Sequence, residues 1–375
     1  IVFFITFVEN NNNMQLDFND LVLVQKPVGL NSRSEVNLEY FPIFNAPMDT
    51  VLSKDNAQVF KNAGINLCFP RNAGVEVNEE DFISVGLVEF EEMIKSIDLN
   101  HKKICIDVAN GNMPALHSAI HNAKSKYPNV IIMSGNIASK EAFVALASTG
   151  CDYIRAGVGS GSGCLTSVHT AVGQGMATLI ADCKSSLSAL KMVKPHINTQ
   201  IVADGGFRTY RDVILALALG ADYVMLGGIL NKTLESCSQK SIVMYDDEDQ
   251  SKVTDILRVK EDGTLEFTSD LTNTSYEFIL DTDVSSLIKY RMITSTFRGM
   301  STKSVQKDWG KTEFRSSEGI EKINYVEYTL AGWIENFQDY LKSAMSYSGC
   351  KTITEFKQTA TVDQISKNTF DRFNK

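Results

Sequence analysis

QIVADGGFRTYRDVILALALGADYVMLGG, residues 200–228, decides the fold. Gln200–Ala203 is a short apolar, β-rich run that stops at Asp204-Gly205-Gly206. Tyr210–Leu219 carries apolar residues at helical spacing, and Tyr223–Leu226 opens a second buried strand that stops at Gly227-Gly228. Strand, glycine loop, helix and strand form the repeating unit of a parallel sheet, because the crossover returns each strand in the same direction. Upstream the unit recurs. Pro42–Ala46, Ile65–Phe69, Ile83–Val88, Lys103–Val108, Val130–Ser134 and Tyr153–Ala156 bring the strand-like runs to eight. Helix-period segments lie between most of them, at Glu79–Phe82, Phe90–Ile97, Ala115–Lys126, Lys140–Ser148 and Thr170–Val193. Eight such units predict an α/β fold of the (β/α)8 TIM barrel type. An open Rossmann-like sheet is the other arrangement, but no GxGxxG follows the first strand.

The ends of these strands hold the residues suited to chemistry. Barrel enzymes assemble their sites at the C-terminal face. Here those ends read Ala46-Pro47-Met48-Asp49-Thr50, Asp107-Val108-Ala109-Asn110-Gly111, Gly135-Asn136, Asp204-Gly205-Gly206 and Gly227-Gly228. After Tyr153–Ala156 comes Gly157-Val158-Gly159-Ser160-Gly161-Ser162-Gly163-Cys164-Leu165-Thr166. Glycines at alternate positions let this loop adopt positive φ and bring its backbone close to a ligand. Most cysteines are small buried hydrophobes; the flanking glycines and the polar Thr166 mark Cys164 instead as a nucleophile, with Thr166 in proton transfer. The Gly205-Gly206 and Gly227-Gly228 pairs follow the seventh and eighth strands, the usual phosphate cradle of the fold. Asp204 suits two ribose hydroxyls as a bidentate acceptor.

Composition narrows the class. The 375 residues suit one large barrel domain or two ordinary ones, and a 43% hydrophobic and 22% charged balance is that of a soluble globular protein. A net charge of −9 without a Lys/Arg stripe excludes a nucleic-acid footprint, so any phosphate must be held locally by backbone amides. Seven scattered cysteines without a CxxC read as reduced thiols of a cytoplasmic protein. His117 and His121 have a zinc-compatible spacing, but no HExxH glutamate or third ligand accompanies them, and they read as a solvated helix face. Ile1–Val8 is too short to span a membrane. Residues 1–13 read as an extension outside the fold, and 14–375 as one catalytic barrel domain. Residues 231–296 are an acidic, polar insertion with hairpin character, and 297–320 form a mobile active-site flap rich in glycine, serine and charge. Leu330–Met345 and Ile353–Phe356 resume helical periodicity and complete the outer ring.

With these residues in view, the chain resembles the IMP dehydrogenase/GMP reductase family of (β/α)8 enzymes acting at purine C2. The resemblance covers roughly residues 15–230 and 296–356. Its most specific element is Gly159–Thr166, similar to the family's G-x-G-S-x-C-x-T. Asn31–Val36, Ala46–Val51, Ala203–Gly206, Met225–Gly228 and Arg298–Ser301 match in the same order. The stretch Asn72–Phe82 leaves no room for the regulatory cystathionine-synthase-type (CBS) modules common in the dehydrogenases. Ile106–Gly111 resembles the reductase sequence, no Arg-Tyr pair lies between Gly299 and Glu318, and Glu313–Gly319 resembles the reductase's E-Y-R-x-S-E-G. The chain is therefore closer to GMP reductase.

The resemblance implies NADPH-dependent reduction of GMP to IMP and ammonia through a covalent thioimidate on Cys164, with Thr166 and Glu318 relaying the proton. It implies substrate contacts from Asp204, Gly205, Gly206, Gly227, Gly228, Gly299, Met300, Ser301, Arg315, Ser316, Ser317 and Gly319. Ser32, Arg33, Arg71, Asp107, Val108, Ala109 and Phe314 are implied at the cofactor. A monovalent cation such as K+ on Gly159, Gly161 and Cys164, and a homotetramer without nucleic-acid or membrane partners, also follow from it. Three positions depart from the reductase pattern. Pro70-Arg71 stands for His-Lys, Ser167 for an arginine, and Phe314 for a tyrosine, which leaves room for a modified purine or a deoxynucleotide. A dehydrogenase of IMP using NAD and lacking CBS modules is the second enzymatic reading. A non-catalytic nucleotide-binding barrel is the third, opposed by the intact Cys164, Thr166 and Glu318.

Overall fold

The computed structural model describes residues 14–245, 252–259, 265–269, 275–278, 288, 293–308 and 319–373, so the reading of 1–13 lies outside the described residues. A short strand β1 (Leu21–Leu23) precedes the eight parallel strands β2 (Ile43–Asn45), β3 (Cys68–Phe69), β4 (Phe82–Val85), β5 (Lys103–Asp107), β6 (Ile131–Ile137), β7 (Tyr153–Ala156), β8 (Gln200–Asp204) and β9 (Tyr223–Leu226). They pair in the order β2-β9-β8-β7-β6-β5-β4-β3. The ring closes where Asn66, just before β3, bridges Phe44 of β2. This is the (β/α)8 barrel that the eight runs predict.

Burial on both faces explains why those runs are almost continuously apolar. Phe44, Cys68, Phe82, Cys105, Met133, Val202 and Met225 fill the interior. Their outward neighbours, such as Ile43, Ile104, Ile132, Ile154, Ile201 and Val224, pack under the helices. Phe44, Phe82, Tyr153 and Tyr223 close the N-terminal end of the barrel, with ring centroids 5.0–6.0 Å apart. Among the described residues the C-terminal end stays open.

Two helix expectations are corrected. Glu79–Phe82 is no helix: four residues cannot meet the cost of nucleation, and the Asn78 side chain instead accepts the N–H groups of Glu80 and Asp81 at 2.9 and 2.8 Å. Thr170–Val193 is two elements. Thr166–Thr170 ends at Ala171, which adopts φ 59°, and the long helix runs only over Met176–Val193. Gly175 caps the start of the long helix, where a Cβ would lie 2.5 Å from the Leu16 carbonyl oxygen. The outer helices Pro114–Lys126, Lys140–Ala147, Tyr210–Ala218, Leu330–Tyr347 and Ile353–Thr359 follow the sequence periodicity closely. Among the described residues no helix is long and apolar enough to cross a membrane.

Beyond the barrel, β10 (Lys240–Tyr245), β11 (Lys252–Val259), β12 (Leu265–Ser269) and β13 (Ser275–Phe278) form an antiparallel meander. It continues into β14 (Ile293–Arg298) and β15 (Glu321–Tyr325), giving one six-stranded sheet. The sheet is rooted in the barrel through Asn231, which is fully buried. Its amide donates to the carbonyls of Thr50 and Thr296, both at 2.9 Å, and accepts from Asn324 at 2.8 Å. The segment read as flap is partly regular, because Lys303–Asp308 is a helix with Val305 buried beneath it.

Lys240 lies buried at the root of this sheet, donating to the carbonyls of Ser236 and Ser238. Burial pushes its pKa down to about 8, against the pull of Cys237 and Glu235. Between that value and the ordinary 10.5, the unfolded chain binds the proton and the native one does not, so stability rises with pH in that window. Below pH 8 the penalty is fully present. Relief of about 3 kcal/mol is expected as the pH passes from 8 to 10.5. Urea unfolding of wild type and Lys240→Met at pH 7, 8.5 and 10 measures it. Parallel pH profiles for the two proteins contradict the assignment.

Candidate active site

The open end of the barrel holds a cavity of about 560 Å³. The loops after β2, β3, β5, β7, β8 and β9 line it, together with Asn136 of β6 and the turn that follows β14. Of the residues singled out in the sequence, Cys164, Thr166, Asp204, Gly205, Gly206, Gly227, Gly228, Gly299, Met300, Ser301, Arg71, Asp107, Val108 and Ala109 all line this one cavity.

Cys164 is half-buried, and its Sγ lies 3.2 Å from Thr166 Oγ1. The loop is held open by backbone contact. A Cβ on Gly163 would meet the Phe297 ring at 2.8 Å, and one on Gly299 would meet the Gly163 carbonyl oxygen at 2.3 Å. Ile320 N donates to Gly163 O at 3.2 Å, Gly299 N donates to Ile320 O at 2.9 Å, and Gly319 bridges Cys164 directly. Three backbone segments thus meet around the thiol, with the Phe297 ring packed against Gly163.

Of the two glycine pairs, only Gly205-Gly206 has the positive φ that favours glycine. Gly205 and Gly206 adopt φ 92° and 86°, and a Cβ on Gly205 would sit 3.1 Å from both Gly161 N and Ser160 Oγ. Ser160 Oγ is buried there without a hydrogen-bond partner among the described residues. Ser162 Oγ approaches Gly228 just as closely, 2.9 Å from where a Cβ would stand. The loop carbonyls are less open. Gly159 O accepts Ser167 Oγ at 3.0 Å and Gly161 O accepts the Cys164 N–H at 2.9 Å. Each of these carbonyl oxygens keeps a second lone pair, so the hydrogen bonds leave both able to face the monovalent cation implied there.

Sequence reasoning missed the charged centre of the site. Arg155, only 7% exposed, donates from Nε and Nη2 to Asp204 Oδ2 at 2.9 and 2.8 Å, and from Nη1 to Asp107 Oδ1 at 2.9 Å. Asn136 Nδ2 reaches the same Asp204 oxygen at 2.8 Å, and Arg71 Nε approaches Asp107 Oδ2 at 3.6 Å. These contacts on Asp204 all fall on Oδ2, so a bidentate grip on two ribose hydroxyls is open only at Oδ1. The signal was present: an arginine inside an apolar strand of a barrel needs a carboxylate partner. Phe297 and Gln306 also line the cavity and were read only as flap.

Other expected residues lie elsewhere. Ser32 caps a 3-10 turn, Arg33 pairs with Asp339 at 3.2 Å, and neither lines the cavity. His117 Nε2 meets Gly111 O at 3.2 Å, and His121 is exposed. Phe314, Arg315, Ser316, Ser317 and Glu318 fall outside the described residues.

Comparison with known proteins bears on this geometry. Residues 83–252 match the model of the IMP dehydrogenase / GMP reductase domain. The chain is similar to GMP reductase 2 of Mus musculus, 26% identical over 95% of this chain and 96% of that protein. It is 28% identical to the GMP reductase of Yersinia enterocolitica, over 94% and 96% of the two chains. It is also 27% identical to an inosine-5'-monophosphate dehydrogenase of Borreliella burgdorferi, over 90% of this chain and 72% of that protein.

Proposed function

Because the chain carries an IMP dehydrogenase / GMP reductase domain around this cavity, we propose that it is a purine-nucleotide oxidoreductase, an NADPH-dependent reductase of GMP. One observation carries the reading. The Cys164 thiol sits 3.2 Å from the Thr166 hydroxyl, in a cavity that Gly205-Gly206 and Gly227-Gly228 line beside Asp107-Val108-Ala109. The relatives named GMP reductase support the choice of substrate.

The chemistry runs from the thiol. Cys164 as thiolate adds to C2 of GMP, and the C2–N bond to the exocyclic amine breaks. The amine leaves as ammonia with a proton relayed by Thr166 and Glu318. C2 is then held on Sγ as a thioimidate. A nicotinamide cofactor, when bound beside Asp107, Val108 and Ala109, supplies the hydride that C2 needs to become that of IMP. The donor set fits such a group: Asp107 offers an acceptor, Arg71 a cation for a phosphate, and the cavity volume is that of a small-molecule site. Cys164 leaves as C2 is reduced, which frees the thiolate for another turn. Buried Arg155 keeps Asp107 and Asp204 in place between the cofactor and nucleotide sides.

Turnover distinguishes the readings. With GMP and NADPH, ammonia release in step with NADPH oxidation is the expected result. NADH appearing from IMP and NAD, with no reaction of GMP, turns the assignment over to the dehydrogenase.

A further inference from the structure

Arg298 does more than end β14. Its Nε and Nη2 grip the Asp49 carboxylate bidentately at 3.1 and 2.6 Å, and its Nη1 reaches Asp308 Oδ2 at 2.8 Å. Asp49 belongs to the loop after β2, next to Met48, which lines the cavity and packs against Gly227. Asp308 closes the helix Lys303–Asp308. Immediately after Arg298 come Gly299, Met300 and Ser301, all lining the cavity, and Gly299 rests on the backbone of Gly163. One guanidinium therefore joins the first barrel loop, the turn over the nucleotide side and the helix that follows it. The planar fork matters here, because a two-point grip fixes the direction of the arginine and a single contact does not.

The Cys237 thiol also donates to the Asp49 carbonyl oxygen at 3.2 Å, fastening the same loop to the root of the six-stranded sheet. Neither Asp49 nor Arg298 lines the cavity itself. Their effect on a ligand must pass through the turn.

We propose that Asp49 and Arg298 form a positioning pair that fixes the Gly299-Met300-Ser301 turn against the Cys164 loop and thereby sets affinity for the purine mononucleotide. The proposal rests on the reductase reading for its substrate. Loss of the pair releases the turn without touching the thiol, so binding suffers and the chemical step does not.

Asp49→Asn, Arg298→Gln and the double variant test it by steady-state kinetics in GMP and NADPH, with calorimetric binding of GMP alone. The expected result is a KM and a Kd for GMP each raised about tenfold or more, with kcat at saturating GMP within about threefold of wild type. The double variant should be no worse than Arg298→Gln, since that change already removes the Asp49 contact along with the Asp308 one. Arg298→Lys should recover only part of the loss, because an ammonium cannot reproduce the two-point grip. A KM within twofold of wild type overturns the proposal, as does a kcat that falls in proportion to the rise in KM. If wild type binds GMP but does not reduce it, the reductase reading fails while the Kd comparison still decides the positioning pair.

Discussion

Cys164→Ser is expected to abolish turnover, lowering kcat by on the order of 10⁴-fold or more, while GMP still binds with near wild-type affinity. In the proposed reaction the thiol forms the bond to C2, and a serine hydroxyl is far less ionised and a weaker nucleophile toward such a carbon. The surrounding contacts are made by backbone: Gly163 O to Ile320 N, and Cys164 to Gly319. A one-atom change at Sγ leaves them intact, so the pocket should persist. Single-turnover kinetics with GMP and NADPH, alongside calorimetry with GMP, separates chemistry from binding. Residual activity above about one percent contradicts a nucleophilic Cys164. Lost turnover with preserved binding makes a binding-only barrel untenable.

Arg155→Met is expected to cost about 3–5 kcal/mol of stability and to weaken nucleotide binding as well. Arg155 stands between two carboxylates, Asp107 and Asp204, whose side chains are only 18% and 11% exposed. Removing the cation leaves like charges facing each other at the centre of the barrel mouth, with too little water to screen them. Methionine has similar bulk, so the loss measures charge more than volume. Arg155→Lys should recover part of it, since the charge returns but the fork that serves both carboxylates does not. Urea unfolding monitored by circular dichroism gives the number. A change under 1 kcal/mol for Arg155→Met means the pair of aspartates does not depend on it.

These two residues differ in how openly the sequence announces them. Cys164 lies in a run of glycines whose only sensible use is a tight, ligand-facing loop, and Gly205-Gly206 and Gly227-Gly228 repeat that signal at the ends of neighbouring strands. Arg155 lies inside Tyr153–Ala156, where apolar neighbours define the strand and give no clue to the partner. Asp107 and Asp204 are 48 and 49 residues away in opposite directions along the chain. Asp49 and Arg298 are separated by 249 residues. The Glu79–Phe82 error came from the same limit, since a four-residue pattern carries too little periodicity to outweigh an Asn78 side chain bonding to its neighbours' backbone.

Sequence alone determined the barrel and the location of its candidate reactive loop. Strand and helix periodicity, glycine punctuation and the order of eight units are local properties, and each acts within a few residues of itself. Only the tertiary structure decided what surrounds the thiol. Parallel pairing of the neighbouring strands β5 to β8 brought Arg155, Asn136, Asp107 and Asp204 into one charged centre. The six-stranded sheet carried Phe297 and Gly299 onto Gly163. Such contacts depend on how distant strand ends converge in space, and no local pattern encodes that distance.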